Sequence, residues 1–331
     1  MLHDTFGRIH DYLRISLIDK CNFRCLYCLP HSVMNKEAFK ALPGSKLMSA
    51  DEIFSFASAF VKLGVNKIRL TGGEPLLRQD AAEIIRRLAT LPVTLTITTN
   101  GSNVHEFIET FIDAGIKSVN VSLDSLNPET FFSLTGRNEF RNVFSNIELL
   151  LKNNFHVKVN VVVMNGYNEN EICDFVAWTN ESPVHIRFIE FMPFPGNHWK
   201  PEKLITYREI LEEIQVKFPS VEKLNDEKHD TAKKFRVKNH AGTFAVISTM
   251  SEPFCGSCNR MRLTADGKMR NCLFAKTETD LLSALREGKN IVPLISESLY
   301  GKHYMLGGHD ELLWAQQHSE SKERSMLAIG G

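Results

Sequence analysis

The stretch Tyr12-Leu-Arg-Ile-Ser-Leu-Ile-Asp-Lys-Cys21-Asn-Phe-Arg-Cys25-Leu-Tyr-Cys28 decides how this chain of 331 residues should fold. Its first half is an apolar, β-rich run, and its second half is a loop with three cysteines. A cubane iron–sulfur cluster has four irons, and each iron takes one thiolate. Because no fourth cysteine is nearby, the loop predicts a cluster with one iron left open to bind another molecule.

Outward from this loop, from about residue 11 to residue 191, short β-rich runs alternate with helical patterns. Such alternation is typical of βαβ units and a parallel sheet, and six units predict a partial (βα)6 TIM-like barrel. Ser49 and Glu52 form a capping-box pattern before the first helix. The predicted strands are 12–17, 67–70, 93–98, 118–122, 157–163 and 185–189. The predicted helices lie near 50–62, 79–90, 104–114, 139–153 and 169–179.

The alternation of strands and helices ends after residue 191, where a segment with three prolines predicts a loop. We therefore predict two regions, a barrel at 1–191 and a C-terminal extension at 192–331 that closes over it. The extension should contain a helix near 206–217, an exposed charged stretch at 222–234, short antiparallel strands at 235–237 and 244–247, and a helix near 278–287.

Polar and small residues lie on the predicted strands or directly after them. The active site of an α/β barrel lies at the C-terminal ends of its strands, so these groups should converge on one face. They are the first triad (Cys21, Cys25 and Cys28), the runs 71–75 and 98–101, Ser122, Asp124, Lys158, Asn160, Glu190 and Met192.

Composition excludes several classes of protein. The formal net charge is zero, so no global field attracts nucleic acid or a membrane. The sequence has no apolar run of eighteen residues, and residues 1–7 contain neither an apolar h-region nor an Arg/Ser-rich stretch, which argues against export and organelle import. We therefore expect a cytoplasmic protein, in which clustered thiols bind metals and the lone Cys173 is a buried apolar residue.

A second triad, Cys255, Cys258 and Cys272, again supplies three thiolates, one fewer than the four irons of a cubane cluster. Structural zinc is the alternative at both triads, with His31 completing the first and His240 or another histidine completing the second.

Basic residues near the triads point to an anionic substrate. If residues 259–263 form a strand, Arg260 and Arg262 lie on one side of it, and guanidinium groups suit phosphate oxygens. Arg14, Arg69 and Lys158 lie on three other predicted strands. Charge that points into a barrel is costly unless it is paired, and a polyanion would pair it.

The cysteine run with Tyr27 resembles the radical S-adenosylmethionine (SAM) superfamily. Further motifs narrow the resemblance to the MoaA family, the GTP 3′,8-cyclases of molybdenum cofactor biosynthesis. They are the runs 6–8, 12–16, 69–75, 187–194 and 196–197, the second triad with 259–263, the run 265–267, and the Gly-Gly end.

The resemblance implies two [4Fe-4S] clusters, one on each triad, with SAM on the open iron of the first and the guanine of GTP on that of the second. It assigns Tyr27, Gly73, Ser122 and Met192 to SAM. It assigns Arg14, Arg69, Thr98, Lys158, Arg260 and Arg262 to GTP, with the adjacent Thr99 as the alternative to Thr98. Gly330 and Gly331 match a tail that enters the active site, and they join Arg260 and Arg262 as catalytic residues.

The implied enzyme is a lyase that makes (8S)-3′,8-cyclo-7,8-dihydroguanosine 5′-triphosphate from GTP. A 5′-deoxyadenosyl radical takes the 3′ hydrogen, and the ribose radical attacks C8. The resemblance also implies a homodimer, an electron donor protein, and product hand-over to the pyranopterin monophosphate synthase. The alternatives are a peptide-modifying radical SAM maturase with an auxiliary cluster, and a non-enzymatic iron–sulfur or zinc protein.

Overall fold

The computed structural model describes residues 1–28, 42–309 and 324–330. Its strands are β1 (Tyr12–Ser16), β2 (Lys67–Thr71), β3 (Thr94–Thr99), β4 (Ser118–Ser122), β5 (His156–Val163), β6 (His185–Glu190), β7 (Val221–Lys223), β8 (Lys233–Val237), β9 (Thr243–Ile247), β10 (Arg260–Leu263), β11 (Lys268–Arg270) and β12 (Thr279–Asp280). Its α-helices are α1 (Ala50–Lys62), α2 (Ala81–Leu88), α3 (Val104–Asp113), α4 (Pro128–Thr135), α5 (Phe140–Lys152), α6 (Ile172–Trp178), α7 (Tyr207–Lys217), α8 (Leu281–Arg286), α9 (Val292–Tyr300) and α10 (Met326–Ile329).

The sheet confirms the predicted half-barrel. Strands β1 to β6 pair in sequence order, each parallel to the next, and helices connect them on the outside. Later strands lengthen both edges: β10 pairs in parallel with β1, and β9 pairs in parallel with β6. The sheet is open, ending at β12 on one side and at β7 on the other.

Strand alternation separates an apolar layer from a polar lumen. On β1, Leu13 and Ile15 are fully buried in the main hydrophobic cluster. The alternate residues, such as Arg14, point to the other side, because successive strand side chains face opposite surfaces. The parallel register carries this pattern across the sheet: Arg14 lies beside Arg69 on β2 and beside Arg262 on β10.

Most predicted elements are confirmed to within a few residues. The capping box at α1 is present, with Ser49 accepting from the Glu52 amide and Glu52 accepting from the Ser49 amide. Cys173 on α6 is buried, as expected of an apolar residue. Sequence reasoning missed α4 and α9. The charged stretch at 222–234 was predicted to be an exposed segment, but part of it belongs to the edge strand β7 and to its neighbour β8.

Residues beyond 191 do more than cover the barrel, because they supply strands to both of its edges. The segment between β9 and β10 crosses from one edge to the other and contains Cys255 and Cys258. Among the described residues, no helix is both long enough and apolar enough to span a bilayer.

Candidate active site

The first triad opens into a pocket at the C-terminal ends of the parallel strands. Cys21, Cys25 and Cys28 follow β1 and line this pocket together. The four residues that the resemblance assigns to SAM line it as well: Tyr27, Gly73, Ser122 and Met192. The structure thus brings both predicted sets into one cavity.

The triad loop packs tightly against the Gly72-Gly73-Glu74 turn that follows β2. The Gly73 amide donates to Ile18 (2.6 Å) and the Glu74 amide to Lys20 (2.8 Å). A Cβ on Gly73 would lie 2.2 Å from the Lys20 carbonyl oxygen, so only glycine fits without moving the backbone. This contact fixes the approach to Cys21.

Buried polar groups hold the turn from the other side. The Glu74 carboxylate accepts from the Thr99 hydroxyl (2.7 Å) and from the Asn100 amide (2.6 Å). Burial raises the pKa of Glu74 to about 7. The Asn100 side chain donates to Asn22 (2.7 Å) and to the Cys21 sulfur (3.8 Å), which links the ends of β2 and β3 to the triad.

A second set of contacts fixes the far end of the loop. The Tyr27 hydroxyl donates to Asp124 (2.8 Å), which also accepts from the Val162 amide (2.9 Å). Burial raises the pKa of Asp124 to about 6. The Asn197 side chain donates to the carbonyls of Tyr27 (3.2 Å) and Met192 (2.9 Å), so both residues are held at one wall of the pocket.

The chemistry of the first triad fits an iron–sulfur cluster. All three cysteines are free thiols. Burial, followed by the charge of Glu74, raises the pKa of Cys21 to about 11. Burial, followed by the neighbouring thiols, raises the pKa of Cys25 and Cys28 well above the ordinary value. Three buried thiolates in one pocket would repel one another, and bound iron supplies the positive charge that stabilises them.

The second triad lines a separate pocket together with Arg260 and Arg262. Arg8, in the N-terminal segment, supports this loop from beneath. Its guanidinium donates to the carbonyls of Cys255 (2.8 Å), Tyr304 (2.8 Å) and His303 (3.1 Å), and it pairs with Asp4 (2.6 Å).

Cys258 has the most basic surroundings of the second triad. The Lys302 ammonium lies 3.8 Å from its sulfur and donates to the Arg260 carbonyl (3.2 Å). The Arg260 guanidinium lies 3.7 Å from the same sulfur. Burial acts to raise the pKa of Cys258, but Arg260 and Lys302 together lower it to about 6. This thiolate is therefore a ready metal ligand.

A single zinc ion fits less well than a cluster. Within residues 1–28, 42–309 and 324–330, no group of three or more His, Cys, Asp or Glu side chains is arranged to hold one metal ion. The thiolates of a cubane cluster can lie farther apart than the ligands of a single metal ion, because each thiolate binds a different iron. His240 does not complete the second triad; its imidazole contacts the Thr179 hydroxyl (2.8 Å). His31 lies outside the described residues.

Cations from five strands converge on the lumen. They are Arg14 (β1), Arg69 (β2), Lys158 (β5), Arg187 (β6), and Arg260 and Arg262 (β10). Among the described residues, none of the six forms an ion pair with a carboxylate, and Arg14 Nε has no hydrogen-bond partner. Such a cluster is suited to bind an anion with several negative charges.

Burial and mutual repulsion perturb these cations. Burial, followed by the charge of Arg187, lowers the pKa of Lys158 to about 8. Burial, followed by the charge of Arg69, lowers the pKa of Arg187 to about 9. Burial also lowers the pKa of Arg262 well below its ordinary value. A bound polyanion would reverse these pKa shifts, because its negative charge relieves the repulsion among the buried cations. That relief would contribute to the free energy of anion binding.

Thr98 and Thr99 have different surroundings. Thr98 pairs in register with Asn120 and accepts from Arg69 (3.2 Å), so it belongs to the lumen. Thr99 points to the opposite side and donates to Glu74. Alternation on the strand therefore favours Thr98 as the substrate contact.

The C-terminal tail enters the same cavity. Leu327 on α10 packs against Cys21 and Cys28. The Gly330 carbonyl accepts a short hydrogen bond from Arg262, and Gly330 has a φ of +83°. Upstream, Arg324 pairs with Asp266 (2.6 Å). Gly331, the last residue of the predicted tail motif, lies outside the described residues.

Several residues of this site were not assigned a role from sequence. Arg187 was noted only as part of a motif, although its alternation with the buried Ile186 and Phe188 on β6 places it on the lumen side. Tyr12 and Lys67 face the lumen on the same grounds. Arg8 and Lys302 gave no local signal, because their contacts with the second triad join distant parts of the chain.

Comparisons with known proteins agree with this geometry. The family model of the radical SAM superfamily matches residues 15–179, and the model named Molybdenum Cofactor Synthesis C matches residues 184–305. The chain is 44% identical to a mitochondrial GTP 3′,8-cyclase of Arabidopsis thaliana, over all of this chain and 84% of that protein. It is 38% identical to a GTP 3′,8-cyclase of Listeria monocytogenes, over all of this chain and 99% of that protein.

The chain spans about half the length of the animal relatives that it matches. With molybdenum cofactor biosynthesis protein 1 of Homo sapiens it shares 43% identity over 99% of this chain and 51% of that protein. Two solved structures share the fold at low identity. They are anSMEcpe with bound AdoMet (TM-score 0.63, 15% identity, 96% of this chain, 93% of that chain) and Streptococcus suis SuiB bound to S-adenosylmethionine (TM-score 0.61, 16%, 89%, 68%).

Proposed function

This chain belongs to the GTP 3′,8-cyclase family of the radical SAM superfamily, and we propose that it converts GTP into (8S)-3′,8-cyclo-7,8-dihydroguanosine 5′-triphosphate. This is the first step of molybdenum cofactor biosynthesis. We propose that the enzyme is a lyase in reaction class, as the resemblance to the GTP 3′,8-cyclases implies.

One observation carries the proposal: a lumen lined by six cations without carboxylate partners among the described residues adjoins two pockets that each contain three thiols. The thiol pockets alone would suit many radical enzymes. The cations select a substrate with several negative charges, and a nucleoside triphosphate has them.

The proposed ligands of two [4Fe-4S] clusters are Cys21, Cys25 and Cys28 for the first, and Cys255, Cys258 and Cys272 for the second. The proposed SAM contacts are Tyr27, Gly73, Ser122 and Met192. The proposed GTP contacts are Arg14, Arg69, Thr98, Lys158, Arg260 and Arg262. Gly330 and Gly331 complete the site as the tail.

When bound, the first cluster and SAM supply the radical that abstracts the 3′ hydrogen of GTP. The residues of this chain do the rest by holding reactants. Arg69 and Lys158 would bind phosphate oxygens, while Thr98 orients Arg69 through its hydrogen bond. Leu327 covers the first triad, and Arg262 holds the tail carbonyl of Gly330, so water is kept from a reactive intermediate.

The remaining expectations stand as proposals. We propose a boundary between the barrel and the extension at residues 191 and 192, and a cytoplasmic location, since six metal-binding thiols need a reducing compartment. A homodimer, an electron donor protein and hand-over to the pyranopterin monophosphate synthase complete the proposal. A peptide-modifying maturase is the alternative, but the unpaired cations suit a peptide poorly.

Anaerobic reconstitution with iron and sulfide tests the function. We expect roughly eight irons per chain, with deoxyadenosine formed only when GTP, SAM and reductant are all present, and with loss of GTP. GTP-independent deoxyadenosine formation with four irons would leave a radical enzyme without this substrate. Zinc binding without cleavage of SAM would refute the mechanism.

The chain offers a matched control for the first triad. Cys25→Ala should abolish cleavage of SAM and remove one cluster. Cys173→Ala, which changes the one cysteine outside the triads, should leave iron content and cleavage unchanged. Cleavage that survives in Cys25→Ala would contradict the assignment.

A further inference from the structure

Tyr12, the first residue of β1, lies among the lumen cations. Its phenol oxygen accepts a hydrogen bond from Arg69 Nε at 2.5 Å. The Lys67 ammonium lies 4.9 Å from the centre of its ring, and the Arg14 guanidinium carbon lies 5.8 Å from it. No residue role described above uses this hydroxyl.

The charged groups that face Tyr12 are all cationic. They come from its own strand and from four others: Arg14 on β1, Lys67 and Arg69 on β2, Lys158 on β5, Arg187 on β6, and Arg260, which pairs in register with Tyr12, on β10. Asp11 is next in the chain, but its carboxylate accepts from Asn66 and Asn259 instead. Among the described residues, the phenol oxygen is the one hydrogen-bond partner of Arg69 that can carry negative charge, since the other two are the Ile97 carbonyl and the Thr98 hydroxyl.

This setting changes the acidity of the phenol. Burial alone would raise the pKa of Tyr12, but the charges of Arg69 and Arg14 outweigh it and lower the pKa to about 6. At neutral pH the phenol is therefore ionised, and its oxygen offsets one of the lumen's positive charges. The short contact with Arg69 is the bond that this charge strengthens.

We propose that the Tyr12 phenolate holds Arg69 in the lumen until a triphosphate replaces it as counter-anion, so that substrate binding transfers one proton from solvent to the phenolate oxygen. Tyr12 is then a positioning residue that acts through Arg69. The inference rests on the proposed function, because it needs a polyphosphate substrate. No other bond changes: the solvent proton forms the O–H bond, and Arg69 exchanges one anionic oxygen for another.

The direction of proton flow follows from the charges. A bound triphosphate brings negative charge beside Tyr12 and raises its pKa, so the phenolate takes up a proton. Lys158 responds the same way, but at about pH 7 it already has its proton because its pKa is about 8. The terminal phosphate of GTP also titrates near neutrality, so the difference in proton uptake between the wild type and Tyr12→Phe is the quantity that reports on Tyr12.

Calorimetry of GTP binding to the cluster-loaded protein tests this. Titrations at about pH 7 in buffers of different ionisation enthalpy give the number of protons taken up per GTP. We expect the wild type to take up at least about half a proton more than Tyr12→Phe. Tyr300→Phe, which removes an exposed tyrosine hydroxyl, should match the wild type. Equal uptake by Tyr12→Phe and wild type, with GTP bound by both, would overturn the inference.

A second measurement needs no variant. Inorganic triphosphate added to the wild type should abolish the near-ultraviolet absorbance of one tyrosinate; binding that leaves the band intact would overturn the inference. If inorganic triphosphate abolishes the band but GTP does not bind, the proposed substrate fails and the role of Tyr12 stands. If GTP binds and is turned over without proton uptake, the role of Tyr12 fails and the proposed function stands.

Discussion

Replacing Lys302 with Met should lower the reduction potential of a cluster on the second triad and leave the first unchanged. Lys302 is 4% exposed, and its ammonium lies 3.8 Å from the Cys258 sulfur. A positive charge stabilises the reduced cluster, which has one more electron, so removing the charge favours the oxidised form. Met is an unbranched side chain one atom shorter than Lys, and it removes the charge and the hydrogen bonds.

The structure gives the size of the effect. With an effective dielectric constant of about 20, a unit charge 3.8 Å away contributes about 4 kcal/mol to an electron placed on the sulfur. The added electron spreads over the cluster, and at a mean distance of about 6 Å the figure is about 3 kcal/mol. For one electron this corresponds to about 120 mV. Because Arg260 also contacts Cys258 and is retained, we expect a fall of about 50 to 150 mV.

The assay is an anaerobic redox titration followed by electron paramagnetic resonance. Performing it in a Cys25→Ala background leaves the second cluster as the source of the signal. Lys289→Met removes an exposed ammonium that pairs with Glu287, and it serves as the control. An unchanged potential in Lys302→Met, or an equal shift in Lys289→Met, would refute the reasoning.

Three further predictions concern the tail and the N-terminal network. Gly330→Ala should slow turnover at unchanged iron content, because its Cβ would lie 2.7 Å from the Thr71 hydroxyl and φ is +83°. We expect docking of the tail to weaken by about 2 kcal/mol, or roughly 30-fold. An unaltered kcat would contradict this. Arg324→Gln should weaken the same docking by breaking the pair with Asp266, seen as faster proteolysis of the tail; equal cleavage rates would count against it. Burial lowers the pKa of His10 to about 4, so stability should fall as pH drops from about 6.5 to 4. In denaturant titrations, the fall in the free energy of unfolding between these pH values should be about 3 kcal/mol smaller in His10→Gln than in the wild type. An equal fall in both proteins would show that other groups cause it.

The half-barrel could be predicted because each of its strands has a recognisable local sequence pattern. Each of β1 to β6 is a short apolar run followed by polar residues, and each predicted bound falls within two residues of the observed one. Helix α4 was missed although Asn127 caps it and Gly136 ends it with a φ of +64°. Its two turns give little periodicity, so the caps were the stronger signal.

The candidate site divides along the same line. Both triads and the arginines near them are visible in sequence because their spacing is local. The contacts of Arg8 with residues 255, 303 and 304 are not, since they join parts of the chain that no periodicity connects. The pairing of β10 with β1 was equally hidden: Arg260–Leu263 is a four-residue strand with two charges, and only its partner makes it a strand.

That pairing bears on how the protein is made. Tyr12 on β1 lies beside Arg260 on β10. Strand β1 is the first to be synthesised, and its outer edge stays unpaired until β10 has been made. Until then the nascent chain presents an unpaired β-edge, which invites pairing with another chain. If the two triads bind clusters as proposed, the residues of the first are complete while β1 still lacks this neighbour, whereas those of the second are not complete before residue 272 emerges. On that assignment the sites are completed in a fixed order, and delayed synthesis of the C-terminal third would prolong exposure of the open edge to aggregation.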